Sequence, residues 1–177
     1  KISLNVLGGY AAGVSGVEVG GIFNIDKKDV QYVQVGGIFN IVNGGMKGVQ
    51  VGGIANTVSK SVSGVQVSGI ASQIRGNMNG CLVAGICSRV GGSMKGLQIS
   101  GIANMLDNAD SVMREKVDTA YLMEGMQLAG ISNITNGRSK GFQLAGISNI
   151  SRRGMEGVQM SGIVNITTRL EIGRAHV

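Results

Sequence analysis

The sequence contains no proline and no tryptophan, and only three phenylalanines, three tyrosines, two cysteines and one histidine among its 177 residues. The scarcity of aromatic side chains argues against a surface that stacks nucleic acid bases. The single histidine, His176, lies in the last residues of the chain, so the rest of the sequence offers no Ser–His or Cys–His pair and no histidine metal site. No apolar run approaches the roughly 18 residues of a transmembrane helix.

Glycine, in contrast, is abundant, with 31 residues placed at regular intervals. A unit exemplified by Gly48-Val49-Gln50-Val51-Gly52-Gly53-Ile54-Ala55-Asn56 occurs nine times. The copies follow one another every sixteen residues, except that thirteen additional residues separate the sixth copy from the seventh. They start at Gly16, Tyr32, Gly48, Gly64, Gly80, Gly96, Gly125, Gly141 and Gly157. A fixed period of this kind indicates a repeat architecture.

The sixteen positions, numbered from the leading residue, differ in how much the residue type varies from copy to copy. Position six is always glycine, position seven is always isoleucine, and position nine is asparagine except at Ser72 and Ser88. Positions two and four are apolar and usually enclose a glutamine, which predicts a short strand with its apolar residues facing the core and glutamine facing solvent. The isoleucine column is also predicted to pack in the core. The asparagine amides are predicted to hydrogen-bond from copy to copy.

A strand-turn-strand-turn unit of this length predicts an all-β fold: a parallel β-solenoid of about ten coils, forming one domain over residues 1–170. Stacked coils bring like positions together about 4.8 Å apart, which explains the uniformity of the columns. A helix is disfavoured because each interior glycine costs about 1 kcal/mol relative to alanine. An antiparallel meander with one strand per repeat is the alternative, but equivalent positions would not meet in it.

The thirteen-residue insertion makes residues 106–124 depart from the repeat, and glycine is absent there. Its apolar side chains fall near one helical face, which predicts a short amphipathic helix. These side chains are Val112, Met113, Val117, Ala120 and Tyr121. The helix would either cover the solenoid or supply a surface for a partner.

The last seven residues, 171–177, also break the repeat. They match the in-frame translation of a common sequencing adapter, so we expect them to be a non-native tail and the chain to be a piece of a longer protein. Removing Glu171 and Arg174 with this tail leaves the net charge at +6.

The two cysteines and the methionines are interpreted as structural residues. Cys81 and Cys87 occupy positions two and eight of one coil, and the inward direction predicted for position two makes Cys81 a small core residue. A disulfide between them is disfavoured by the geometry that disulfides require. The methionines at position fifteen, such as Met46 and Met78, are predicted to fill the core. We expect no catalytic residue, cofactor or metal site, and hence no enzyme.

Basic side chains gather in the segments that return the chain from one copy to the next. Coil stacking predicts that they line one edge, which either keeps the β-protein soluble or binds an anionic polymer such as a glycan or lipid head groups. Nucleic acid is disfavoured as the partner because no aromatic residues interleave the basic ones. The candidate residues are Lys27, Lys28, Lys47, Lys60, Arg75, Lys95, Arg138, Lys140, Arg152 and Arg153.

The segment Val33-Gln34-Val35-Gly36-Gly37-Ile38-Phe39-Asn40-Ile41 and its copies resemble the glycine-rich surface-repeat proteins of leptospires and Bacteroidetes. The resemblance covers residues 1–170 and implies an exported protein of the cell envelope that presents a repetitive surface. It implies no catalytic residue. A fragment of an outer-membrane β-barrel protein is the alternative interpretation of the sequence.

Overall fold

The computed structural model describes residues 2–107 and 121–168, which form two sheets of ten strands each. The strands are numbered in chain order, and the odd-numbered ones make up the first sheet. They are β1 (Ile2–Asn5), β3 (Val14–Gly20), β5 (Val30–Gly36), β7 (Met46–Gly52), β9 (Val62–Ser68), β11 (Met78–Ala84), β13 (Met94–Ser100), β15 (Tyr121–Ala129), β17 (Arg138–Ala145) and β19 (Met155–Ser161).

The even-numbered strands form the second sheet. They are β2 (Gly8–Ala11), β4 (Phe23–Asp26), β6 (Phe39–Val42), β8 (Ala55–Val58), β10 (Ala71–Ile74), β12 (Cys87–Val90), β14 (Ala103–Leu106), β16 (Ser132–Thr135), β18 (Ser148–Ser151) and β20 (Val164–Thr167). Each coil of the chain contributes one strand to each sheet.

Every strand pairs in parallel with the equivalent strand of the next coil, so like positions stack upon one another. Val49, for example, lies beside Val65, and Asn40 beside Asn56. The predicted parallel β-solenoid of about ten coils is therefore confirmed, and the antiparallel alternative is wrong.

The helix predicted over residues 106–124 is not seen in the described part of the chain. Leu106 ends β14, and Tyr121 already begins β15, where Met123 pairs with Met94 of the preceding coil. The ladder therefore extends into both ends of the predicted helix, because strand pairing with the adjacent coils outweighs the local helical pattern. The middle of that prediction lies outside the described residues, as does the predicted tail at 171–177.

The direction of the side chains is opposite to the prediction. Gln50 is completely buried, whereas Val49 and Ile54 are 38% and 43% exposed. Positions fifteen, three and five share one face of each first-sheet strand, so burying the large residue at position fifteen also turns the glutamine inward. A strand that alternates correctly but is assigned the wrong face has every side chain reversed.

The apolar core is built mainly from positions eleven and fifteen, which face each other near the return turns, with Leu82 of position three and Leu122 added. Its members are Val30, Val42, Met46, Val58, Val62, Ile74, Met78, Leu82, Val90, Met94, Leu106, Leu122 and Met123. The methionine column is thus confirmed. The interpretation of Cys81 as a core residue is wrong, because position two faces outward. Cys81 is partly exposed, Cys87 is exposed, and both are free thiols.

Position six accepts only glycine because the coils approach each other closely there. A Cβ atom on Gly53 would lie 2.0 Å from the carbonyl oxygen of Gly37, and one on Gly101 would lie 2.1 Å from that of Gly85. These distances are shorter than any non-bonded contact, and the obstacle is backbone. The close approach predicted for this position is confirmed.

We therefore expect Gly53→Ala to prevent folding or to lower the free energy of unfolding by about 3 kcal/mol or more, because the coils must separate to admit a methyl group. Thermal unfolding followed by circular dichroism measures the effect. Gly45→Ala is the matched control, since its nearest obstacle, the Ser61 carbonyl oxygen, lies 3.1 Å away. Equal melting temperatures for the two variants would contradict this account of the repeat.

Candidate functional site

The asparagine at position nine joins each coil to the next through both hydrogens of its amide. Asn40 Nδ2 donates to Asn56 Oδ1 at 2.8 Å and to the Val51 carbonyl oxygen at 2.7 Å. Asn24, Asn133 and Asn149 repeat this pair of bonds. The predicted asparagine ladder is confirmed, and the second bond explains the residue type: serine has no second donor for the neighbouring backbone.

A second row of amides runs beside the first in the opposite direction. Gln50 Nε2 donates back to Gln34 Oε1 at 2.8 Å, and Gln143 Nε2 donates back to Gln127 Oε1 at 2.6 Å. The asparagines, in contrast, donate forward along the chain. One half of the solenoid interior is therefore polar, and its stability depends on hydrogen bonds because burying an unpaired amide is costly.

Both rows are interrupted at the middle coils. Leu82 replaces the glutamine at position three, and Ser72 and Ser88 replace asparagine at position nine. Gln98 Nε2 turns to Ser88 Oγ at 2.8 Å and Gln66 Nε2 to Ser72 Oγ at 3.4 Å, so both Gln50 Oε1 and Gln66 Oε1 are left without a partner. The leucine and the two serines thus form one linked exception, in which the hydroxyl groups take over part of the bonding.

A buried pair of carboxyl groups lies near the N-terminal end of the polar interior. Glu18 and Asp26 are both completely buried, and Gln34 Nε2 donates to Glu18 Oε2 at 2.9 Å and to Asp26 Oδ2 at 2.5 Å. Removal from water, followed by the hydrogen bond with Glu18 and the charge of Glu18, together raise the pKa of Asp26 to about 7, against a smaller lowering by the hydrogen bond from Gln34. At neutral pH, therefore, Asp26 is partly protonated.

The outward residues at positions two, four and seven form one continuous surface along the solenoid, which we call the apolar edge. It runs over nine coils, about 38 Å by strand spacing. Its central column consists of Ile22, Ile38, Ile54, Ile70, Ile86, Ile102, Ile131, Ile147 and Ile163, all exposed. Sequence reasoning assigned these residues to the core, because their conservation of type from copy to copy is equally typical of packed columns.

The opposite side of each coil is the turn at positions twelve to fourteen. Together with the outward residue at position sixteen, where the first-sheet strand begins, it forms what we call the return edge. It carries all of the predicted basic residues. Lys27, Lys28, Lys60, Arg75, Arg152 and Arg153 lie at positions twelve and thirteen, Arg138 lies at position fourteen, and Lys47, Lys95 and Lys140 lie at position sixteen.

The structure brings these basic residues to one side of the molecule without making them continuous. Lys95 Nζ lies 3.3 Å from Glu124 Oε1, and Arg138 lies 3.1 Å from Glu156 Oε1. Arg138 and Lys140 also lie over the ring of Tyr121. The return edge therefore presents its positive charge in separate groups, and whether it binds a polyanion stays a prediction.

Comparison with protein-family models, with curated proteins and with solved structures finds no match to this chain. Within residues 2–107 and 121–168, no group of three or more His, Cys, Asp or Glu side chains could hold a metal ion. The same residues include no helix with the length and hydropathy of a membrane span.

Because Leu82 interrupts the glutamine row, we expect that Leu82→Gln does not destabilise the protein. The new amide would donate to the unpartnered Gln66 Oε1, so we expect the free energy of unfolding to be unchanged or raised by up to about 1 kcal/mol. Chemical denaturation measures it. Ile74→Gln is the control at another buried apolar position and should cost about 3 kcal/mol or more. A similar loss in both variants would contradict the ladder arrangement.

The carboxyl pair predicts how stability depends on pH. Folded Asp26 keeps its proton up to about pH 7, whereas the unfolded chain releases it near 3.8. The unfolded state therefore binds fewer protons between these values, and the contribution of Asp26 to the free energy of unfolding falls as pH rises from about 4 to about 7.

Asp26→Asn should remove this fall, because the amide replaces the proton as a donor to Glu18. Glu18→Gln, which restores the usual residue of position three, should only reduce the fall, since desolvation of Asp26 remains. Denaturation at a series of pH values distinguishes the three proteins. A slope in Asp26→Asn as steep as in the wild type would be inconsistent with this assignment.

Proposed function

We propose that this chain is a non-enzymatic, repetitive surface or scaffold module of a bacterial cell envelope, and that it acts through its apolar edge. The observation that supports this function is the repetition of exposed apolar side chains in every coil. Contiguous exposed apolar patches larger than a few hundred Å² are rare on monomeric proteins and mark interaction sites. The envelope location rests on the resemblance of the repeat to surface-repeat proteins.

The spacing of the apolar edge suits a scaffold rather than a pocket for a small ligand. Each coil offers the same three outward positions, such as Val49, Val51 and Ile54, to whatever lies against it. Successive coils repeat them about every 4.8 Å. Binding therefore accumulates from many weak, equivalent contacts, and its strength increases with the number of coils engaged.

The return edge supports a second candidate function, the binding of an anionic polymer. Lys27 and Lys28 are adjacent and exposed at one end of the return edge, and Arg152 and Arg153 are adjacent at the other. Between them, Gly91 and Gly92 place no side chain at the corresponding turn. A polymer would have to bridge such gaps, which is why we place the apolar edge first.

The test is a triple variant, Ile54→Gln, Ile70→Gln and Ile86→Gln, which interrupts the apolar edge over three consecutive coils. These side chains are exposed, so we expect the melting temperature to change little. Self-association in sedimentation velocity, and retention on a phenyl-agarose column, should both fall, because each substitution removes exposed apolar area.

The control substitutes outward polar residues of the same coils, Ser63→Gln and Asn79→Gln, which lie at position sixteen. It should behave as the wild type does in both measurements. If the triple variant associates and is retained as strongly as the wild type, the apolar edge is not the binding surface.

A further inference from the structure

We infer that the apolar edge inserts into the interfacial layer of a lipid bilayer with anionic head groups. This inference rests on the proposed function and names its partner. Three features of the edge point to lipid rather than to a second protein: its shape in cross-section, the state of its backbone, and the charges beside it.

In the middle coils, the apolar edge and the adjacent residue at position eight together are apolar on three sides. Val49 and Val51 face outward from the first sheet, Ile54 occupies the turn, and Ala55 faces outward from the second sheet. The same arrangement recurs in the next coil with Val65, Val67, Ile70 and Ala71. A flat protein surface would cover one of these sides and leave the others in water. Fluid hydrocarbon surrounds an inserted edge from all three sides.

The backbone N–H groups of the edge are already paired within the solenoid. The amide N–H of Gly53 donates to the Gly36 carbonyl oxygen at 3.1 Å, and those of Ile54 and Ala55 donate to the Ile38 carbonyl oxygen at 2.7 and 3.1 Å. The turn therefore presents no unpaired N–H at these three residues. An unpaired N–H group is costly in an apolar surrounding, so the pairing of these donors lowers the cost of placing the turn among lipids.

Lysines of position sixteen lie on the outward face of the first sheet, between the return turns and the apolar edge. Lys47 points outward from the first sheet two residues before Val49, about 7 Å along the strand. Lys95 and Lys140 hold the same position in other coils, where Lys95 pairs with Glu124 and Lys140 lies over Tyr121, so Lys47 is the main candidate for a head-group contact. Interfacial elements bury their apolar face about 5–10 Å deep. At that depth, flexible lysine side chains reach the anionic groups.

The absence of tryptophan from the sequence makes insertion directly measurable. Ile70→Trp places a reporter on the apolar edge, and Lys60→Trp places one on the return edge. With vesicles of phosphatidylcholine and phosphatidylglycerol, we expect the emission of the Ile70→Trp protein to shift to the blue and that of the Lys60→Trp protein to stay unchanged.

Vesicle flotation then separates the two contributions to binding. The triple variant at Ile54, Ile70 and Ile86 should lose about tenfold or more in partitioning into these vesicles, because less apolar area is buried. Lys47→Gln, Lys95→Gln and Lys140→Gln together should reduce the preference for anionic over pure phosphatidylcholine vesicles by about tenfold, and added salt should do the same.

The other results overturn the inference in distinguishable ways. Binding that depends on the lysines, without a blue shift and without an effect of the triple variant, would mean adsorption through charge alone. No vesicle binding, combined with the expected effect of the triple variant on self-association, would reject lipid and leave the proposed function standing. A triple variant that matches the wild type in every measurement would reject both.

Discussion

The structure depends on one constraint: each coil lies directly on the preceding coil in strict register, so every residue meets its own equivalent. Where the backbones come closest, at Gly37 and Gly53, no side chain fits. Where amides meet inside, as at Asn40 and Asn56, they bond to one another. On the outside, the same register turns isolated isoleucines into a continuous apolar surface. The packing, the polar bonding and the candidate binding surface all follow from stacking equivalent coils in register.

Two kinds of interaction, apolar packing and amide hydrogen bonds, stabilise different halves of the interior. Near the return turns, Met46 and Val58 contribute by the burial of apolar surface. Near the other turn, amides contribute only while each has a partner. The unpaired Oε1 atoms of Gln50 and Gln66, beside Ser72 and Leu82, show how substitutions in either row interrupt the glutamine row. Such networks favour one register strongly, because any slip breaks every bond of the row at once.

Much of the fold could be predicted from the sequence, because the period, the glycine at position six and the asparagine at position nine each have a direct physical reading. Which face of each strand is buried could not be predicted. Met46 and Val49 are both apolar and lie on opposite faces of β7, so alternation alone cannot decide which one is inside. Assigning Val49 to the core placed the glutamines in solvent. The apolar edge, which is the main candidate for function, was therefore not predicted.

The buried carboxyl pair escaped prediction for a different reason. Glu18 and Asp26 are single exceptions to their columns, and a charged residue in one copy of a repeat ordinarily indicates a surface position. The return edge was predicted correctly in its location, since turns of stacked coils fall on one side. The breaks in its positive charge were not predicted. Ion pairs such as that of Lys95 with Glu124 depend on which residues adjacent coils place side by side.

The opposite directions of the two amide rows have a consequence for the length of the solenoid. An amide row has an electric dipole moment that grows with each added member, while the partial charges at its two ends stay the same. Here the asparagine row and the glutamine row point in opposite senses, so their moments largely cancel. Coils added by duplication therefore extend both rows together, and the net moment of the polar interior stays small however many coils are stacked.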